Sequence, residues 1–358
     1  MIRKILGSAG FVTLVLMTAT IMTGTAVQAS EMRGDKLLMT GAGSTFINPL
    51  FSKWFAEYNK KNPKIEINYQ SIGSGGGIKQ LQKRTIDFAA SDVAMNDKEV
   101  TEAGAPVLHF PVAIGAVVLS YNLPDVQKAL KAAKKSLKMD GATVSAIIQG
   151  KIKKWNDPAL KALNPGVTLP DQAIVFVYRS DSSGTTGVFT EYLGKVDSEF
   201  ATAVGVGKAV KWPTGLGGKG NEGVTANIKN TVGSIGYVEL TYALNEKLPT
   251  VSLKNASGKF VEADLASVTE AASAALKTIP DDFKVSLTNA SGDKVYPIAA
   301  FTYFLAFEKT AAPAGPEIVK LMNWALEQGQ SYTTNLGYSP LPKALVAKIR
   351  AKLPSVAP

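Results

Sequence analysis

Apolar positions along this chain switch between two periods, and the switches mark out its elements. Leu37, Leu38 and Met39 form a short apolar run. Ile47, Leu50, Phe51, Trp54, Phe55 and Tyr58 then recur at the spacing of one helix face until Asn62-Pro63 stops the pattern. Residues 64–69 alternate as a strand does, residues 78–83 suit a short helix, and residues 87–90 suit a short buried strand. The apolar run 107–119, with Pro111 and Gly115 inside it, is long enough for a strand that leaves one lobe and enters another. Helices are predicted near 126–137 and 144–149. A buried strand over 173–178 precedes Val188, Phe189, Tyr192 and Leu193, which share a helix face. Further strands fall at 234–242 and 297–307, and Ile318, Leu321, Met322 and Leu326 return to helical spacing. Strands alternating with helices predict an α/β fold. A length of 358 residues exceeds what one core usually serves, so two lobes are expected.

The turns between these elements carry the chemistry. Four times a strand gives way to a run of small polar residues and then to a helical or capped segment: Gly41 to Phe46, Ser71 to Gly77, Ser91-Asp92, and Arg179 to Thr185. The last reads Arg-Ser-Asp-Ser-Ser-Gly-Thr. Its hydroxyls, its glycine and the unpaired N–H groups of a helix start suit a small anion. An N-cap with an incidental arginine would explain that window taken alone. The aromatic stripe from Phe51 to Tyr58 reads as core.

Residues 1–29 combine Arg3 and Lys4, an apolar stretch from Ile5 to about Met22, and Val27-Gln28-Ala29, the small-residue pattern of signal-peptide cleavage. Export to the periplasm and cleavage after Ala29 are expected. Loss of Arg3 and Lys4 lowers the net charge of +10 by two. The lysines are scattered or sit in short runs such as 151–154, without interleaved aromatics, so no nucleic-acid partner is expected. The chain has no cysteine, hence no disulfide framework and no lipidated residue after the leader.

Several chemistries are disfavoured. His109 is the one histidine, and without a second His or any Cys the usual metal sets are lacking, so neither metal nor cofactor is expected. No Gly-x-Ser-x-Gly elbow is present to pair a nucleophile with His109. Gly215 to Gly220 matches the dinucleotide spacing by letter only, because no clear strand precedes it, and Gly220 stands where a P-loop needs Ser or Thr.

The segments 41–46, 69–77, 90–92, 150–155, 179–185, 211–221 and 233–238, in this order, resemble the PstS family of periplasmic phosphate-binding proteins that feed ABC-type phosphate importers. The resemblance runs from about Thr40 to the C-terminus. It implies a two-lobed periplasmic-binding-protein fold of type II, with two chain crossings at a hinge and ligand in the interlobe cleft. Lobe I would comprise 30–112 and 300–358, and lobe II 113–299. It implies phosphate contacts from Thr45, Phe46, Ser74, Asp92, Arg179, Ser183, Gly184 and Thr185, with Asp181 bracing the arginine. No direct contact is carried over to the loop 215–220. Ser182 departs from the glycine of many relatives; a left-handed conformation there would cost a serine about 1 kcal/mol. Ile47-Asn48 departs from a Pro-Ala found in some. The resemblance further implies a non-catalytic, monomeric receptor that delivers phosphate to membrane permease subunits. A receptor for another oxyanion, or an exported phosphatase, are the alternatives. The first would place a fully ionised anion against Asp92, and the second lacks a nucleophile or metal cluster.

Overall fold

The structure, a computed structural model, describes residues 30–357; the expected leader and its cleavage site lie outside the described residues. In chain order the strands are β1 (Glu31–Arg33), β2 (Lys36–Gly43), β3 (Ile65–Ser71), β4 (Phe88–Ser91), β5 (Val107–Tyr121), β6 (Lys138–Met139), β7 (Val175–Arg179), β8 (Leu216–Gly218), β9 (Ser234–Glu239), β10 (Ser252–Lys254), β11 (Phe260–Val261) and β12 (Ala299–Phe307). Among the described residues nine of them form one sheet in the order β1-β2-β4-β12-β5-β9-β7-β8, with β3 on the other edge of β2. A small sheet, β11-β10-β6, lies apart.

Two sets of parallel strands occupy the ends of this sheet. β2 runs parallel to β3 and β4, and β7 runs parallel to β8 and β9. β5 joins the sets: its residues 107–116 pair with β12 and its residues 117–121 with β9, antiparallel in both cases. Every residue of β12 and all but Leu108 of β5 are buried, as expected of strands covered on both faces. The result is the two-lobed periplasmic-binding-protein architecture, in which β5 pairs into both sets while β12 pairs with β4 and with residues 107–116 of β5.

Helices cover both sets. The Asn48–Lys61 helix buries Leu50, Phe51, Trp54, Phe55 and Tyr58. Phe51 meets Tyr69 edge-on at 5.2 Å, and Phe88 stacks on Phe304 at 4.6 Å, so the aromatic stripe is core. Burying each such ring contributes about 1.5–3 kcal/mol. In the other lobe Phe189 stacks on Tyr237 at 4.3 Å and anchors the Gly184–Val196 helix to β9.

Some boundaries differ from the sequence expectation. The helix expected over 126–137 is Pro124–Ala132, because Lys134 is left-handed (φ 51°) and the Lys135 N–H turns back to the Leu130 carbonyl. The glycine run before Ile78 is itself the first turn of the Ser74–Gln82 helix. A side chain at Gly77 would lie 2.5 Å from the Ala42 carbonyl oxygen, so that close approach requires glycine. Among the described residues no strand directly precedes the glycine-rich loop 215–220, but Leu216–Gly218 within it is an edge strand parallel to β7.

Candidate functional site

Parallel strands end where their turns converge. Thr45 and Phe46 follow β2, Ser74 follows β3, Asp92 follows β4, Arg179 ends β7, Asn221 follows β8, and Glu239 ends β9. Ligands of open α/β sheets bind outside such carboxyl ends. All of the sequence-predicted residues are brought together here.

The first turn is held by its carbonyls. Tyr69 donates its hydroxyl hydrogen to the Ser44 carbonyl at 2.8 Å, Tyr242 to that of Thr45 at 2.6 Å, and Tyr338 to that of Phe46 at 2.6 Å. The helix begins at Asn48, with Ile47 as its N-cap and Pro49 in its first turn, so Thr45 and Phe46 precede the helix rather than start it. The Phe46 N–H donates to Ser44 Oγ at 3.0 Å. Ser44 in turn donates to Asp92 Oδ1 at 2.5 Å, and Thr302 donates to the same oxygen at 2.9 Å. Thr302 stands at a β-bulge between β12 and β5, a device that re-aims side chains. The other Asp92 oxygen, Oδ2, faces Gly184: a side chain there would lie 2.5 Å from Oδ2, 2.8 Å from the Asp92 nitrogen and closer still to Ser74 Oγ. Burial pushes the Asp92 carboxyl up to about 6, against the lowering pull of Ser44, Thr302 and Arg179.

Opposite lies the arginine turn. Arg179 is 3% exposed. Its Nε and Nη2 grip Asp181 at 2.8 and 2.6 Å, and its Nη1 donates to Thr185 Oγ1 at 3.2 Å. This is a bidentate fork, and Asp181 braces it as expected. Burial works to raise the Asp181 carboxyl, but the bonds and charge of Arg179 and the Gly220 N–H, at 3.0 Å, hold it below the ordinary carboxylate value. Ser183 caps the Gly184–Val196 helix by accepting the Thr186 N–H at 3.1 Å. The departure at Ser182 carries no strain, since its φ is not positive.

The two sides touch. The Gly75 N–H donates to the Ser182 carbonyl at 3.0 Å, and Lys208 pairs with Glu99 at 2.6 Å with both side chains under 20% exposed. Asn221 was missed by sequence reasoning, although it directly follows the glycine-rich loop. Its backbone N–H and Nδ2 donate to Thr45 Oγ1 at 3.2 and 2.8 Å, and Nδ2 also lies 3.3 Å from Thr185 Oγ1. Ser44 and Thr302 were missed too. Ser44 stood inside a segment already singled out, whereas Thr302 is remote in sequence and carried no signal.

Other chemistry finds little support among the described residues. His109 Nε2 accepts the Met95 N–H at 3.1 Å, and burial pushes its imidazole down to about 4, so it is a neutral packed residue. No group of three His, Cys, Asp or Glu residues is arranged to hold a metal ion. No helix is long and apolar enough to cross a membrane.

Comparison with known proteins bears on the fold and the family. The model of a PBP superfamily domain matches residues 23–328. The chain is 41% identical over 363 aligned residues to the phosphate-binding protein PstS of Xylella fastidiosa, covering 96% of this chain and 97% of that one. It is 44% identical over 318 residues to the PstS of Pasteurella multocida, covering 88% and 89%. Two solved structures share the fold. One is the periplasmic phosphate-binding protein PfluDING with phosphate bound (TM-score 0.67, 20% identity, 87% of this chain and 93% of that one). The other is a phosphate-binding protein from Stenotrophomonas maltophilia (TM-score 0.65, 19% identity, 89% and 98%). The chain belongs to the PstS family of phosphate-binding proteins.

Proposed function

We propose that this protein binds inorganic phosphate between its lobes and delivers it to the permease subunits of an ABC-type importer, without catalysis and as a monomer. The carrying observation is one buried acceptor, Asp92, among converging donors. Phosphate near neutral pH keeps at least one proton and can donate it to Asp92 Oδ2. Its other oxygens would accept from the hydroxyls of Thr45, Ser74, Ser183 and Thr185, from the N–H groups of Phe46 and the Gly184 helix start, and from Arg179. Lobe I would comprise residues 30–112 and 300–358, and lobe II 113–299, so only the closed form offers all donors at once. Each bond to a charged group contributes about 1.5–3 kcal/mol, and desolvation and closure cancel most of the sum. A Kd of about 0.1–10 micromolar is expected. After cleavage following Ala29 the mature protein would be free in the periplasm; mass spectrometry of exported protein checks this.

Sulfate has no proton to offer, so its lone pairs would face Asp92 in a dry cleft. Discrimination built on an unpaired buried group reaches about 10⁴–10⁵-fold. The test is competition against labelled phosphate. Arsenate, which also keeps a proton, should displace it, and millimolar sulfate should not. Asp92→Ala should weaken phosphate and narrow the gap to sulfate. Displacement by sulfate from the unaltered protein would refute the role of Asp92.

A further inference from the structure

We infer that Asn221 is a positioning residue that forces the hydroxyls of Thr45 and Thr185 to act as donors toward the anion. This rests on the phosphate-binding function proposed above. Asn221 is fully buried, as is Thr185, and Thr45 is 2% exposed. The orientation of the Asn221 amide follows from a group that can only donate: the Glu239 backbone N–H meets Asn221 Oδ1 at 3.0 Å, so the other amide atom is the nitrogen, with two hydrogens to give.

Those hydrogens meet oxygens already engaged by other donors. Thr45 Oγ1 accepts from Asn221 Nδ2 at 2.8 Å and from the Asn221 backbone N–H at 3.2 Å. Thr185 Oγ1 accepts from Asn221 Nδ2 at 3.3 Å and from Arg179 Nη1 at 3.2 Å. A hydroxyl oxygen has two lone pairs and one hydrogen. With both lone pairs taken, each hydroxyl can only donate onward. Free threonine hydroxyls could rotate to accept the anion's proton and would then compete with Asp92 for it. Asn221 removes that option, so the anion's proton has one destination. Because Thr45 and Thr185 stand on opposite sides of the cleft, one amide sets the polarity of both.

Neutron diffraction from a deuterated crystal grown with phosphate tests this without altering the protein. The Thr45 and Thr185 hydroxyl deuteriums should point at phosphate oxygens, and the side-chain nitrogen of Asn221 should carry two deuteriums directed at the threonines. A Thr45 deuterium pointing at Asn221 overturns the inference while leaving phosphate binding intact. A crystal in which phosphate occupies no cleft removes the underlying reading itself. Calorimetry supplies a second arm. Asn221→Ala should weaken phosphate about tenfold in the native background but no more than about threefold beside Thr45→Val, because the hydroxyl it orients is then gone. Equal losses in both backgrounds would overturn the assignment. If the alanine variant does not fold, the neutron result alone decides.

Discussion

Gly184→Ala offers a sharp test of closure, because the atoms nearest a new methyl group there all belong to the opposite side of the cleft. The added carbon would sit 2.8 Å from the Asp92 nitrogen and 2.5 Å from Asp92 Oδ2, where ordinary contact begins at 3.4 Å. Backbone cannot rotate aside as a side chain can, so the lobes must stay apart by roughly half an ångström or more. Bonds between the two sides, such as the Gly75 N–H to the Ser182 carbonyl at 3.0 Å, are then stretched past hydrogen-bond range. Losing two bonds from one lobe to the anion amounts to about 3–6 kcal/mol, or roughly 10²–10⁴-fold in Kd. Within its own helix the substitution is favourable, alanine being the better helix former by up to about 1 kcal/mol. Calorimetry should therefore show a large loss of phosphate affinity, and a thermal melt without phosphate should show no loss of stability. Phosphate binding within about threefold of the unaltered protein would refute the close approach of Gly184 to Asp92.

Three further outcomes follow from the site. Arg179→Ala should weaken phosphate by about 2–4 kcal/mol in calorimetry, since it removes the fork and leaves Asp181 half-buried without its partner; a loss below about threefold would place Arg179 outside the site. Asp92→Asn should stabilise the phosphate-free protein near pH 7. Its folded carboxyl lies at about 6, above its unfolded value, so burial of the ionised form costs stability above pH 6 and the cost vanishes as pH falls to about 4. Melts of the two proteins should differ by up to about 2–3 kcal/mol at pH 7 and converge near pH 4. Lys208→Ala removes an ion pair across the cleft and should raise the phosphate Kd about three- to tenfold at low salt, with a smaller effect in titrations at high salt.

How far the sequence reached depended on distance along the chain. The turn after β7 was legible because the strand, the arginine, the hydroxyls and the helix start are consecutive from Val175 to Val196, whereas the bracing role of Asp181 came only with the resemblance. The aromatic stripe of Asn48–Lys61 was legible because helical spacing is local. The resemblance supplied the remaining assignments to the anion. Neither source indicated that Thr302, on the far side of a bulge, completes the Asp92 cradle, or that Tyr242 and Tyr338 hold the carbonyls of the first turn. Those partners lie 210, 197 and 292 residues away and meet only in the folded chain. The start of the Ser74–Gln82 helix was misplaced for a related reason: glycine lowers local helix propensity, and tertiary crowding against Ala42 overrides it.

The charges in this cleft decide what kind of attraction it can exert. Arg179 is the cation of the site, and Asp181 neutralises it through two short bonds. Asp92 adds negative charge where the proposed anion would sit. Bulk Coulomb attraction therefore cannot hold the ligand; local dipoles must. The hydroxyls, the N–H groups of the turns and the start of the Gly184–Val196 helix supply them, and each acts only at hydrogen-bond range. Such a site distinguishes ligands by counting hydrogens. An anion with too few protons leaves Asp92 facing lone pairs, and one with too many leaves a donor facing the hydroxyls that Asn221 holds as donors. Overall basic charge, by contrast, lies on exposed lysines where salt screens it. Raised salt should slow phosphate capture while leaving the selectivity ratio between phosphate and sulfate unchanged, and a ratio that falls steeply with salt in competition titrations would show that net charge, not hydrogen count, does the choosing.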